Sequence, residues 1–346
     1  IVQSKNIIIN GSMDIAQRGT SFSSVTSTQY TLDRWRWTPG SGTGTFTLSQ
    51  STDVPSGQGF AKSFKADCTA TATPSGTNSI GLKTRFEGQN LQYLKKGTAN
   101  AESLTLSFWV KSNKTGTYIA ELEDNDNSRT INKSYTINSA NTWEKKTITY
   151  DGDTSGTLNN DNALSFTIVY YINAGPDLQS GTLQTSWGSL VPANRAVGQV
   201  NLADSTANEW YITGVQLEAG TTASEFEFLP YDVNLQRCQR YYYLHVSGSQ
   251  DVGVGGYYTS SHIFFNITFP NTMRAVPTID YVSGTDYYKI TRNGATDNFN
   301  DIAGGGVASL NEVSLYNNSQ VSGTAGDAGY VRSNNASASI ALNSEL

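Results

Sequence analysis

The chain is poor in the residues that build helices, staples and charged surfaces. Only 15% of its 346 residues are charged, against a globular norm of about 25%. Long helices laced by ion pairs are therefore excluded. Two cysteines, Cys68 and Cys238, stand about 170 residues apart and form no disulfide framework. We read them as structural thiols, which suits assembly in a reducing cytosol. Two histidines and two cysteines leave too few ligands for a structural zinc site. The longest apolar run is far short of the ~20 residues of a membrane-spanning helix, so membrane insertion is not expected. Net charge is −6, and no basic cluster exceeds Lys95-Lys96 or Lys145-Lys146, which argues against nucleic acid as a partner. The start, from Ile1, has neither an initiator Met nor the basic and apolar regions of an intact signal peptide. The expectation is a chain processed or cut from something longer.

What is abundant points one way. Ser, Thr and Asn make up close to a third of the chain. Their side chains compete for backbone hydrogen bonds and disfavour helix interiors. Aromatics reach 11%, led by 19 Tyr, and 32 Gly punctuate the sequence. Thr, Tyr, Phe and Val suit a pleated, half-buried surface, and Gly with Asn suits turns. The fold class expected is all-β, and the length predicts two domains at roughly 150 residues each, with room for a third small one.

The clearest element is 103–111, where Leu104, Leu106, Phe108 and Val110 face one way and Thr105, Ser107 and Trp109 the other. Further strands are expected at 44–49, 60–68, 116–123, 131–137, 143–150, 164–172 and 209–218. Residues 6–15 and 30–37 also read as strands. Residues 230–240, with Pro230 and Asp232 at the start, read as a short helix connecting the domains. After it come strands at 241–246, 262–269, 278–282, 287–291, 313–316 and 337–342, separated by glycine loops at 253–256, 304–306 and 322–329. The division expected is 1–229, a jelly-roll sandwich, the connector 230–240, and a smaller β-sandwich at 241–346.

Five ordered blocks carry a family resemblance. They are Asn-Ile-Ile-Ile-Asn-Gly-Ser-Met-Asp-Ile-Ala-Gln-Arg-Gly-Thr-Ser-Phe (6–22) with Tyr-Thr-Leu-Asp-Arg-Trp (30–35); Trp-Glu-Lys-Lys-Thr-Ile-Thr-Tyr-Asp-Gly-Asp-Thr-Ser-Gly-Thr (143–157); Ile-Thr-Gly-Val-Gln-Leu-Glu-Ala-Gly-Thr-Thr-Ala-Ser-Glu-Phe-Glu (212–227); Pro230-Tyr231 with Cys-Gln-Arg-Tyr-Tyr (238–242); and Met-Arg-Ala-Val-Pro-Thr (273–278). Together they resemble a family of tailed-bacteriophage fibre and virion surface proteins, over nearly the whole chain. The resemblance implies a jelly roll similar to carbohydrate-binding modules, a β-sandwich at the fibre tip, and homotrimers on the virion surface, assembled in the host cytoplasm beside other virion proteins. It also implies a structural calcium site built from Asn10, Asp14 and Glu218. Composition alone favours solvated Asx turns over calcium and no cofactor. The run Asp124-Asn-Asp-Asn-Ser128 lacks the Gly and the bidentate Glu of an EF-hand.

A host cell-surface glycan needs flat aromatic faces ringed by amides and carboxylates. The candidates are Trp187 in a polar loop, Tyr257 and Tyr258 after a glycine run, and Asp286 with Tyr287 and Tyr288. If strand-like, each tyrosine pair alternates, so at most one of each belongs to the core. Trp109, Trp143 and Trp210 are expected in the core, and Trp35 and Trp37 in packing. Arg237 and Arg240 beside Tyr241 and Tyr242 read as packing between subunits or domains. Glu121 with Glu123 and Glu225 with Glu227 are carboxylate pairs on strand faces, expected to be solvated. His245 and His262 have no triad signature. No enzyme is expected. A tail-fibre subunit that binds a glycan leads, a capsid-decorating or head-fibre protein follows, and a glycan hydrolase comes last.

Overall fold

The computed structural model describes residues 5–346, and for 305–307 the backbone alone. Residues 1–4, on which part of the reading of the N-terminus rests, lie outside the described residues. The described chain is all-β, as composition requires, with one α-helix, Tyr231–Gln239. It divides into two compact units between Asn234 and Leu235, inside that helix, with Leu346 grouped with the first.

The first unit is a jelly-roll-type sandwich of two antiparallel sheets. The six-stranded sheet runs Ser21–Val25, Thr45–Ser51, Ser63–Ala70, Glu209–Ala219, Leu104–Ser112 and Glu144–Tyr150. The seven-stranded sheet runs Gly188–Ser189, Arg129–Ile137, Gly116–Asp124, Leu164–Ala174, Ser79–Glu87, Arg36–Pro39 and Gln29–Tyr30. Their inner faces meet on Trp35, Trp37, Trp210, Phe46, Phe64, Phe108 and Tyr170, all fully buried. Edge-on ring pairs such as Phe108–Tyr170, with centroids 5.4 Å apart, add aromatic contact to area burial. The strands Leu164–Ala174 and Glu209–Ala219 are buried on both faces.

Several local expectations are corrected. Residues 6–15 are not a strand: Asn10 and Met13 adopt left-handed φ values of 58° and 62°, which no extended strand accommodates. The Asn10 amide braces this loop, donating to the Ile15 and Asp33 carbonyls and accepting from the Ile15 N–H. Residues 30–37 are two short strands split by a turn in which Arg34 has φ 71°. Trp109 and Trp143 are half-buried rather than core. The alternation that buries Phe108 and Val110 turns Trp109 outward, and the Trp143 indole N–H donates to Asp53 Oδ1 at 2.9 Å on the outer side. Trp210 is core as expected. Cys68 and Cys238 are buried thiols and not a disulfide.

The second unit pairs a three-stranded sheet (Tyr242–Ser247, Ser339–Asn343, Thr278–Tyr281) with a seven-stranded one. The larger sheet runs Ala295–Phe299, Tyr288–Arg292, Ala328–Ser333, Asp251–Thr259, His262–Thr268, Glu312–Asn317 and Ala303–Ala308. The core is Ile263, Phe265, Ile267, Tyr288, Ile290, Phe299, Leu315 and Val331. The expected glycine loops at 253–256 and 304–306, and the end of 322–329, are strands. Close packing explains the glycines: a Cβ on Gly255 would lie 2.6 Å from the Phe264 carbonyl, and one on Gly329 would lie 2.5 Å from that of Thr291.

Candidate functional site

In the second unit the His262–Thr268 strand is aromatic on both faces. Ile263, Phe265 and Ile267 turn inward, which sends His262, Phe264, Asn266 and Thr268 outward. Cross-strand pairing then lays a row of outward residues over five neighbouring strands. Ala328 faces Gly256, Gly256 faces Phe264, Phe264 faces Tyr316, and Tyr316 faces Ala303. Two rings thus stand between low neighbours on either side. The His262 imidazole stacks on Phe264 with centroids 4.4 Å apart, and Tyr316 lies 5.3 Å from His262 and 5.9 Å from Phe264. Tyr258, 72% exposed, stands edge-on to both His262 and Phe264. The next outward pair, Val254 and Tyr330, is 65% and 66% exposed. Asn266 and Ser314, paired across the strands, set hydroxyl and amide groups beside the rings. The arrangement is a broad aromatic platform with polar margins, suited to the apolar C–H face of a sugar ring.

The expected glycan residues separate on this geometry. Tyr258 joins the platform. Tyr257 does not: it is buried, its hydroxyl bonds Asp297, and the Arg292 guanidinium lies 4.4 Å over its ring. Tyr288 is likewise core, stacked on Phe299, its hydroxyl donating to the Val282 and Ser339 carbonyls at 2.7 and 3.0 Å. Neither ring is open to a ligand, because strand alternation turns it inward. Tyr287 is half-buried against the core, and Asp286 is exposed in a turn with φ 57°. Trp187, in the first unit, packs on Phe166 at 6.0 Å and donates from its indole to the Asp151 carbonyl. One of its faces is taken by the Lys96 ammonium at 5.1 Å. That ammonium is itself buried between Asp124 and Asp153.

The sequence reading missed Phe264, His262 and Tyr316. The signal was present: His262, Phe264, Asn266 and Thr268 form the more polar of the two alternating sets. Tyr241 and Tyr242 are buried in a single copy of the chain, with Arg237 and Arg240 half-buried beside them in sequence. For calcium, the Glu218 carboxylate accepts from Ser224 N–H and Oγ at 2.7 and 2.8 Å, and the Asn10 amide is committed to the loop above. The Asp14 carbonyl accepts from Gln50 Nε2 at 3.0 Å. Among the described residues no three His, Cys, Asp or Glu side chains are grouped to hold a metal.

The carboxylate pair Glu121 and Glu123 is not solvated as expected. Glu121 is 0% exposed and accepts both forks of the Arg195 guanidinium, with Nε at 2.8 Å, and Arg195 reaches Glu123 at 3.3 Å. Burial pushes the Glu121 pKa up, and the guanidinium pulls against it. Glu227 accepts from the Asn6 N–H at 2.9 Å. His245 uses both ring nitrogens, one on the Val252 carbonyl at 2.7 Å and one on the Tyr243 hydroxyl at 3.0 Å.

No protein-family model and no curated protein matches the chain. Solved structures do. One is the enzymatically active domain of bacteriophage CBA120 tailspike protein 4, at 16% identity and TM-score 0.33, over 62% of this chain and 21% of that one. This chain thus spans about a fifth of that tailspike's length. A CBM4 structure follows at 14% identity and TM-score 0.32, over 62% of this chain and 99% of the other. TmCBM61 in complex with β-1,4-galactotriose matches at 12% identity and TM-score 0.30, with the same coverage. Likeness at this level assigns no activity to the chain.

Proposed function

We propose that the chain is a non-enzymatic phage virion surface protein, a tail-fibre subunit whose second unit binds a host surface glycan. The carrying observation is the platform of exposed Tyr258 with half-buried His262, Phe264 and Tyr316, on the outer face of a sheet whose inner face already has its core. Rings of this size exposed side by side lose hydrophobic free energy unless something covers them. A sugar ring stacks on such a surface through its C–H groups and bonds its hydroxyls to the polar margin. The five sequence blocks that resemble phage fibre proteins support the virion setting. The non-enzymatic reading draws support from Arg195, which holds Glu121 and Glu123 as structural anions. In a homotrimer, three weak sites raise avidity by about 10²–10⁴ without new contacts.

The test is binding of purified protein, its oligomeric mass first set by light scattering, to immobilised bacterial surface polysaccharides before and after periodate oxidation. Binding lost on oxidation, and weakened roughly tenfold by Phe264→Ala, is expected for stacking of this kind. Trimers that bind no polysaccharide would replace this reading with a capsid-decorating one.

A further inference from the structure

The outer face of the first unit's seven-stranded sheet carries a charged row. Arg36 faces Lys83, Lys83 faces Val169, Val169 faces Glu121, and Glu121 faces Asn132. Beside it, Thr38 faces Gly81, and Gly81 faces Tyr171. Residues 175–200 fold over one half of this face, where Leu178 and Ala196 pack on Ile119, Val169 and Tyr171, and Arg195 clamps Glu121. The cover stops short of the other half. What remains is a cleft of about 390 Å³ lined by Thr38, Asn78, Lys83, Tyr171, Pro192 and Arg195, among others. Small-ligand sites begin at about 300 Å³.

The charge in this cleft is unbalanced. Both nearby carboxylates, Glu121 and Glu123, are engaged by Arg195. Lys83 and Arg36 sit directly opposite one another on neighbouring strands, an arrangement that costs stability for like charges. Neither side chain has a hydrogen-bond or ion-pair partner among the described residues. Burial holds the Lys83 pKa below its ordinary value, with Glu123 and Glu121 pulling against it. Thr38 Oγ1, in the same lining, is buried without a hydrogen-bond partner. Gly81 keeps the floor open, since a Cβ there would lie 2.8 Å from Val169 Cγ1 and 3.4 Å from Lys83 Cε. The cleft therefore holds an ammonium without an ion-pair partner and an unsatisfied hydroxyl, with Arg36 opposite that lysine on the neighbouring strand.

We infer that this cleft binds the carboxylate of an acidic sugar, with Lys83 as its ammonium partner, Arg36 adding charge, and Thr38 bonding a ring hydroxyl. The site is separate from the aromatic platform and extends the glycan reading to a second, anionic specificity. A carboxylate here would pair a half-buried ammonium and offset the Arg36–Lys83 repulsion, and charge-assisted bonds of this kind are the strong ones.

The experiment is calorimetric titration of the full chain with trigalacturonate and with sialyllactose, each against its carboxyl-reduced neutral counterpart, and with inorganic phosphate. At least one acidic oligosaccharide is expected to bind, its neutral counterpart at least tenfold more weakly, with affinity falling as salt rises. Lys83→Met should weaken that binding by about 10–100-fold, and Lys83→Arg should retain most of it. Phe264→Ala should leave it unchanged. Melting curves of Lys83→Met confirm folding, and Arg36→Gln provides a second variant, expected to weaken binding less. The inference is overturned if neither acid binds, if the neutral sugars bind as well, or if phosphate binds as tightly as the sugars. It is also overturned if Phe264→Ala rather than Lys83→Met abolishes binding, an outcome that leaves the platform reading standing.

Discussion

Both units of this chain put a seven-stranded sheet over a hydrophobic core, and they treat its outer face in opposite ways. In the first unit that face is charged and polar, and residues 175–200 cover half of it through Arg195 and a small apolar cluster. In the second unit the corresponding face is aromatic and bare, with Tyr258, Val254 and Tyr330 well exposed. Covering a charged face requires that every buried ion find a partner, so the first unit has clamps and a cleft where the cover ends. A bare face requires no partners and leaves flat rings available to a ligand. Cover produces depth and charge selectivity, and bareness produces breadth.

The sharpest break of this contrast is to remove the clamp. Arg195→Met leaves Glu121 buried without its guanidinium and should cost about 3–5 kcal/mol, read as a lower denaturation midpoint. Pairing it with Glu121→Leu should return most of that loss, since two apolar side chains in place of a buried ion pair are often neutral or stabilising. A failure of the double variant to recover would show that the loop is held by something other than this pair. In the second unit, Tyr288→Phe removes the hydroxyl from the Val282 and Ser339 carbonyls, the second of which keeps the Val282 N–H. A loss of about 1–3 kcal/mol by urea denaturation is expected. On the bare face the outcome should reverse. Phe264→Ala is expected to change stability by less than 1 kcal/mol or so, because the ring is only half-buried, while it lowers glycan binding.

The smallest effect is a pH dependence confined to the second unit. Burial holds the His245 pKa below its ordinary 6.5, with the hydrogen bond to the Val252 carbonyl pulling against it. The unfolded chain takes up a proton near 6.5 and the folded one only lower. The contribution of His245 is therefore complete above 6.5 and lost as pH falls from there through the folded pKa. Parent and His245→Asn should diverge in melting temperature at pH 7.5 and converge toward pH 5.

Strand positions were legible wherever alternation was strong. Residues 103–111, 116–123, 164–172 and 209–218 appear within two residues of their expected ends, and the helix was legible from Pro230 and Asp232. Glycine misled the reading in the second unit. Gly253–Gly256 has a loop's composition, yet the backbone of the neighbouring strand comes too close for any Cβ at Gly255. The opening segment misled it in the other direction, since Ile7, Ile8 and Ile9 read as a strand while left-handed Asn10 and Met13 set a braced loop.

For the sites, local sequence carried less. One of each tyrosine pair went inward, as alternation demands, but which one depended on register: Tyr257 lies opposite the core residue Ile263, and Tyr288 shares the inner face with Ile290 on its own strand. Composition and period two determined an all-β chain of two units, because turn residues and side-chain alternation are local properties. Tertiary structure decided which aromatic face stayed bare, that Glu121 would meet Arg195 seventy-four residues away, and that Lys83 and Arg36 would stand opposite one another without an ion-pair partner among the described residues. Those outcomes depend on strand pairing and loop cover between distant segments, and a one-residue slip in register would reverse each of them.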